Sequence, residues 1–448
     1  MEYINQYLSG TIVPIAILFL GFYFLVKLKG NPFILSNIKS SLLSKNGKET
    51  GIRAVILALA GTLGVGNIVG VASAIALGGA GSVFWMWISA FLAMILKYSE
   101  VVLALLHRRI RNGEYYGGAM YYMRDYFISV KRSVLGEIFT FVFVIFCLIN
   151  GFTMGGIIQA NAISESLKMT FETKGQDVGI VLAFSCIVVF LFNGKRIFSL
   201  CEKLVPFVSA VYIIMSLIVM MFSYDKILSV LCEIVQDAFS FKAAGAGALG
   251  FVFSKSLRYG TIRGLFSNEA GCGTSPIAHA TSNTDSPCNQ GILGIFEVFI
   301  DTIIVCTMTA FVILINKDVS LLYGDNPVLM VFSSFAMSLG CVSNIILTFC
   351  ICLFAFATII CWGYYGKECI YYLNKSKKIQ KVYYIVYIFT IYFGAFISLD
   401  IVWQLADLAV GVMTLMNLLI LYFMRKEIIE ETDRYNKKSS QKRALRIR

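Results

Sequence analysis

Ala60-Gly61-Thr62-Leu63-Gly64-Val65-Gly66-Asn67 sits in the middle of an apolar run from Ile52 to Gly78. Such a run is long enough to cross a bilayer, yet an unbroken helix would avoid this sequence. Each glycine costs a helix roughly 0.5–1 kcal/mol relative to alanine, so Gly61, Gly64 and Gly66 together invite unwinding. Farther along, Ser267-Asn268-Glu269-Ala270-Gly271-Cys272-Gly273-Thr274-Ser275-Pro276 interrupts another apolar run, Ala243 to Ala278. Pro276 suits the first turn of a new half-helix, where its missing N–H is no loss. Close packing through small residues would explain either stretch alone. Two breaks at corresponding places in two halves of a chain point instead to a transporter binding site.

The rest of the chain supplies those halves. Hydrophobic residues make up 58% and charged residues 14%, too few charges to wet a soluble surface of 448 residues. By length and apolarity the sequence predicts about eleven spans. They are Thr11 to Leu28, Ile52 to Gly78, Val83 to His107, Val134 to Leu167, Val178 to Asn193 and Ile197 to Phe222, then Ala243 to Ala278, Gln290 to Ile315, Ser338 to Leu373, Val382 to Ser398 and Asp400 to Met424. Lipid satisfies no backbone hydrogen bonds, so the fold class is an all-α integral membrane protein. Gly113 to Phe127 and Tyr224 to Phe241 read as interfacial segments at opposite faces. With the first span set aside, the breaks fall in the first helix of each of two five-helix sets. Those helices cross in opposite directions, the layout of a 5+5 inverted repeat behind one extra N-terminal helix. The boundaries expected are 1–50 for the extra helix and its loop, 51–242 and 243–424 for the repeats, and 425–448 for a basic tail.

The net charge of +12 concentrates in a few loops and in the tail, the positive-inside pattern, and excludes a nucleic-acid role. It places the N-terminus outside and the C-terminus in the cytoplasm. Most of the 12 cysteines lie in apolar runs and there are two histidines, which speaks against a metal cluster or a disulfide framework.

Chemistry follows from the released backbone. Half-helix N-termini at Asn67 to Gly70 and Thr274 to Pro276 would offer N–H groups to a carboxylate. Unwound carbonyls at Ala60 to Gly64 and Phe266 to Ala270 would face an ammonium or a sodium ion. Ionisable groups inside spans suggest function by default. Glu269 leads them, as a cap or a proton carrier. Glu297 with Asp301, and Lys97 with Glu100, have the spacing of one helix face, and interhelical pairing is the favoured account of both sets. Asp407 reads as a gate residue or a cap, and Lys255, Arg258 and Arg263 as the lining of an outer vestibule.

GTLGVGNIVGVASAIALGG from Gly61, WMWISAFLAMILKYSE from Trp85, GEYYGGAMYYM from Gly113 and IIQANAISESL from Ile157 carry a resemblance. So do EKLVPF from Glu202, SNEAGCGTSPIAHA from Ser267, FEVFIDTIIVCT from Phe296, WGYYGKE from Trp362 and WQLADLAVGVMTLMN from Trp403. With these nine motifs in order, the chain from Gly51 to Phe423 resembles the alanine or glycine:cation symporter family, the sodium:alanine symporters. The resemblance implies a leucine-transporter-like fold and secondary active uptake of a small neutral amino acid, alanine or glycine, with sodium. Glutamine as substrate, protons as coupling ion and a transporter-like nutrient sensor stay open. It implies substrate contacts at Thr62, Gly64, Gly66, Asn67, Gln159, Ser267, Ala270, Gly271, Gly273, Thr274 and Trp362. Sodium would bind at Gly61, Leu63, Gly64 and Thr358. The family pattern has two adjacent hydroxyl residues before the Trp-Gly pair, whereas this chain has Ala357 then Thr358, one ligand fewer. No cofactor is implied beyond the co-transported ion. A multi-pass protein of a prokaryotic plasma membrane is the setting expected. An enzyme is disfavoured by the lack of a nucleophile–base signature, and a channel by the absence of a repeated filter.

Overall fold

The computed structural model describes residues 1–34, 48–191, 194–240 and 255–447. The parts of the first loop, of the fifth-span end and of the seventh-span start that the sequence assigned to the remaining residues lie outside this description.

Helix α1 (Tyr3–Lys27) is followed by α2 (Lys48–Thr62) and α3 (Val69–Gly78), which form one span bent by 63° between Thr62 and Val65. The glycine-rich octapeptide therefore unwinds as its composition predicts. Helix α4 (Gly81–Leu106) leads into a hairpin of β1 (Arg109–Arg111) and β2 (Glu114–Tyr116), then α5 (Ala119–Ser129). Next come α6 (Ser133–Phe171), α7 (Gly175–Leu191), α8 (Gly194–Phe222) and the amphipathic α9 (Tyr224–Ala238). The second broken span is α10 (Lys255–Asn268) with the short α11 (Ser275–His279). It is followed by α12 (Pro287–Ile315), α13 (Pro327–Leu339), α14 (Val342–Leu373), α15 (Lys377–Gly394), α16 (Asp400–Phe423) and α17 (Arg425–Ile447).

Among the described residues seven helices are long and apolar enough to cross a membrane, and the bent pair α2–α3 makes an eighth. Helices α7, α10–α11 and α15 occupy the other three expected spans but are shorter, interrupted or flanked by charge. The two breaks meet at the centre, where α4 packs on both α10 and α12, and α14 packs on α2 and α6. Both α6 and α12 carry π-helical turns there, Thr153–Ile157 and Phe299–Cys306, a distortion often found where a helix serves a site.

The tail is a docked helix rather than a solvated charge run. Ile428 is buried, and Thr432 hydrogen-bonds Tyr98 of α4 at 2.9 Å. His107, just past α4, clasps it: Nδ1 meets Asp125 of α5 at 2.8 Å and Nε2 meets Glu427 of α17 at 3.0 Å. Burial pulls the His107 pKa down, but its hydrogen bonds to the two carboxylates outweigh that and hold it at about 9. Asp125 is pushed up by burial and drawn down further by His107 and Arg109, to a net value below its ordinary range. The folded His107 value lies above the unfolded value of roughly 6.5. Its contribution is therefore complete below about pH 6.5 and is lost as pH rises through about 9. Asp125 works in the opposite sense, its contribution disappearing as pH falls through its lowered pKa. Hydrogen exchange of α17 amides, corrected for intrinsic rates, is expected to quicken above about pH 9, and His107→Gln should abolish that dependence.

Candidate functional site

Unwinding begins where backbone donors are diverted. The Gly64 amide, which would close the next turn of α2 on Ala60, instead donates to Asn67 Oδ1 at 3.1 Å. The Val65 amide donates to Gln159 Oε1 at 3.1 Å, and Gln159 is steadied by donation from its Nε2 to the Met154 carbonyl, also at 3.1 Å. Released from the ladder, the Ala60 and Leu63 carbonyls lie 3.0 and 3.3 Å from the Thr358 hydroxyl of α14. The Phe354 carbonyl, one turn back on α14, is 3.1 Å from the same oxygen. One hydroxyl proton cannot serve both released carbonyls at once, and an unserved buried carbonyl is costly. The Phe354 contact is the ordinary back-bond of a helical threonine, since that carbonyl stays in the α14 ladder. The two released carbonyls and the Thr358 hydroxyl are oxygens of the kind a small hard cation takes. Ala60 and Leu63, three apart, share the helix face that meets α14. Gly61 turns towards Cys361 and Tyr365.

The first break is stitched to the second through Asn67. Its Nδ2 donates to Ser267 Oγ at 2.7 Å and to Asp301 Oδ1 at 2.7 Å, and Ser267 Oγ donates to Asp301 Oδ2 at 2.7 Å. A β-carbon placed on Gly66 would stand 3.3 Å from the Ser267 α-carbon, so glycine is what lets the two backbones approach. Thr62, Gly64, Gly66, Asn67, Gln159, Ser267 and Thr358 thus share one locus.

The remaining expected residues are placed around it. Glu269 ends α10 in the left-handed conformation, φ +52°, and its Oε2 accepts from the Thr274 hydroxyl at 2.6 Å. Its Oε1 is buried with no hydrogen-bond partner among the described residues. Ala270 is fully buried. Gly271 and Gly273, both at positive φ, face Leu96 and Leu418 in one case and Ala119, Phe143 and Asn417 in the other, away from the first break. Trp362 packs over Gly155 in the π-helical turn of α6, and its indole Nε1 is buried without a hydrogen-bond partner among the described residues.

Lys97 of α4 holds the second break open. Its ammonium donates to the Asn268 carbonyl, the last of α10, at 3.0 Å and to Ser275 Oγ, the first residue of α11. It also pairs with Glu297 of α12 at 3.1 Å, and Glu100 lies 3.8 Å away. A cation at a helix C-terminus is favourable for the dipole as well as for the carbonyl. Gln290 Nε2 donates to both the Gly51 carbonyl, at 3.2 Å, and His279 Nδ1, at 2.9 Å. The His279 Nε2 lies 2.9 Å from Glu297. Glu100 accepts from the Gly273 amide at 3.1 Å and from Asn417 at 2.9 Å, tying the break to α16. Glu297 and Asp301, one face by spacing, have separate duties: Glu297 balances Lys97, while Asp301 accepts from Asn67, Ser267 and Thr302. Asp301 and Lys97 were legible as intramembrane charges, but no spacing rule tied them to the breaks. Asp407 faces Arg263 at 3.4 Å, and that guanidinium lies 4.9 Å from the Trp403 ring centre.

Comparison with known proteins agrees with this architecture. Among solved structures, a Na+-coupled sialic acid symporter in a substrate-bound outward-open state superposes with a TM-score of 0.54 at 14% identity, covering 92% of this chain and 88% of that one. A manganese transporter of Eremococcus coleocola gives 0.52 at 13% identity, covering 87% and 80%. The fold is thus of the leucine-transporter type. In sequence, the sodium/alanine symporter AgcS of Methanococcus maripaludis is 35% identical over 88% of this chain and 85% of its own. The probable sodium/glutamine symporter GlnT of Bacillus subtilis is 33% identical over 97% and 89%. The profile of the sodium:alanine symporter family matches residues 1–447, and the chain belongs to that family.

Proposed function

We propose that this protein is a carrier, not an enzyme, that takes up alanine or glycine together with sodium across a prokaryotic plasma membrane by alternating access. Its N-terminus is outside and its C-terminus in the cytoplasm, and sodium is cargo rather than a resident cofactor. The observation that carries the reading is the oxygen cage of Ala60, Leu63 and Thr358 at the first break. Beside it, the close approach of Gly66 to Ser267 and the Val65–Gln159 hydrogen bond support a small zwitterion bound between the two breaks. Glycine at position 66 keeps that place narrow between the two breaks, which favours a substrate with little or no side chain. Uptake of radiolabelled alanine into proteoliposomes, under sodium and proton gradients imposed separately, tests the proposal. Accumulation driven by sodium alone supports it.

Proton coupling is the second reading, and the buried Glu269 Oε1, without a hydrogen-bond partner among the described residues, favours it. Accumulation driven by a proton gradient without sodium would replace the first reading with this one. A putative sodium/proton-dependent alanine carrier of Bacillus subtilis, 28% identical over 98% of this chain, shows that both ions are named within the set of relatives.

Two substitutions probe the cage. Ala357 is fully buried beside Thr358, and Ala357→Ser restores a hydroxyl at the position where one ligand is missing. It is expected to lower the sodium concentration for half-maximal uptake severalfold; an unchanged value would show that residue 357 does not face the ion. A β-carbon on Gly64 would come within 2.6 Å of Thr358 Oγ1 and 3.0 Å of Gln159 Oε1, whereas one on Gly70 meets no atom within 4 Å. Gly64→Ala is therefore expected to reduce sodium-driven uptake at least tenfold, with Gly70→Ala leaving the sodium dependence unchanged in the same assay.

A further inference from the structure

Three elements of the face that carries α17 converge on a cavity of about 130 Å³. The β1–β2 hairpin contributes Arg109 and Arg111, α5 contributes Arg124 and Asp125, and Lys375 follows the end of α14. Residues two apart on a strand point to the same side, which aims both hairpin arginines inward. The hairpin is fixed there by Tyr116 stacked on Tyr371 of α14, ring centres 4.7 Å apart.

The cavity holds four cations and one carboxylate, and that carboxylate is already engaged. Asp125 accepts two hydrogen bonds from Arg109, at 2.6 and 2.8 Å, and one contact from His107. Among the described residues, the ion-pair partner of Arg124 is the exposed Glu137, at 3.6 Å. Glu114 stands opposite Arg111 in the hairpin, but its carboxylate accepts from the Tyr116 hydroxyl instead. Among the described residues, no acid lies within ion-pair distance of Arg111 or Lys375. Like charges gathered in a concavity repel one another unless an anion joins them. The space is several times the roughly 30 Å³ share of one water and well short of the roughly 300 Å³ of a drug-sized pocket, a fit for one phosphate group. Guanidinium forks match phosphate oxygens in pairs.

The surroundings indicate which phosphate. Ile110, between the two hairpin arginines on the opposite side of the strand, is 66% exposed, and Leu373, next to Tyr372 on α14, is 40% exposed. Exposed apolar side chains flanking tyrosines and basic groups are the composition of the membrane interface. We propose that this cavity binds the phosphate of an anionic phospholipid, with the acyl chains lying beside Ile110 and Leu373. The bound headgroup bridges the hairpin and α5 to the inner end of α14, the helix that bears Thr358.

The test is native mass spectrometry of the delipidated full-length protein titrated with phosphatidylglycerol, phosphatidylcholine or inorganic phosphate. It compares wild type with the double substitution Arg111→Gln and Lys375→Gln. Neither residue belongs to the transport site, and both lie at the protein surface, so melting in lipid-free detergent should be unchanged. Phosphatidylglycerol is expected to bind wild type at least about tenfold more tightly than phosphatidylcholine, and the double variant is expected to lose that margin. Inorganic phosphate competing at concentrations equal to the lipid would keep the phosphate site and overturn the lipid source. Equal binding of phosphatidylglycerol by wild type and variant, or equal binding of the two lipids by wild type, would overturn the proposal.

Discussion

Thr358→Ala is expected to raise the sodium concentration for half-maximal alanine uptake by about ten- to a hundredfold. The hydroxyl is the single side-chain oxygen in the cage; its neighbour Ala357 offers none, so nothing on α14 can substitute for it. A hydrogen-bond-strength interaction with a charged group is worth roughly 1.5–3 kcal/mol, and each 1.4 kcal/mol is a factor of ten. Thr358→Ser keeps the oxygen and should stay within a few-fold of wild type. The comparison matters because a packing role for the threonine methyl would penalise serine and alanine alike. Sodium-dependence curves on the three proteins decide between the two.

Lys97→Met is expected to have the larger structural effect. Lys97 and Glu297 are both fully buried, and methionine fills a similar volume while removing the charge. Breaking a buried pair by removing one partner costs roughly 3–5 kcal/mol, since the partner charge is left uncompensated. Here the Asn268 carbonyl and Ser275 also lose their shared donor, so both edges of the second break are released together. The expected outcome is a loss of thermal stability in detergent and little or no uptake. The double substitution Lys97→Met with Glu297→Gln should recover much of the stability but not the uptake, because the α10 terminal carbonyl still lacks its cation. Full recovery of uptake in the double variant would show that Lys97 serves only to neutralise Glu297.

The positions of the breaks were legible because glycine and proline act locally: three glycines in six residues, and Pro276 at the start of a half-helix, need no tertiary information to be read. The contact of Thr358 with the first break was legible only in part. The resemblance pointed to Thr358 and Leu63, whereas the Ala60 carbonyl depends on which helix face meets α14, and that is set by packing. Lys97 and Asp301 were visible as expensive intramembrane charges, yet their partners lie far away in sequence, 171 residues for the Lys97–Asn268 contact and 234 for Asn67–Asp301. Spacing within one helix grouped Glu297 with Asp301, whereas packing separates them between two networks. The docking of α17 was hidden by its charge: a segment so basic reads as solvated, and its contact is made by few residues, among them Ile428 and Thr432.

The most direct test of sodium coupling at the first break is equilibrium binding of radioactive sodium to the purified protein, wild type against Thr358→Ala, with and without alanine. The account predicts saturable binding to wild type that alanine strengthens, because linkage between two co-transported ligands is reciprocal. It also predicts at least a tenfold weaker affinity in the variant. Sodium binding that is unaltered by Thr358→Ala would contradict the assignment of the ion to the cage of Ala60, Leu63 and Thr358.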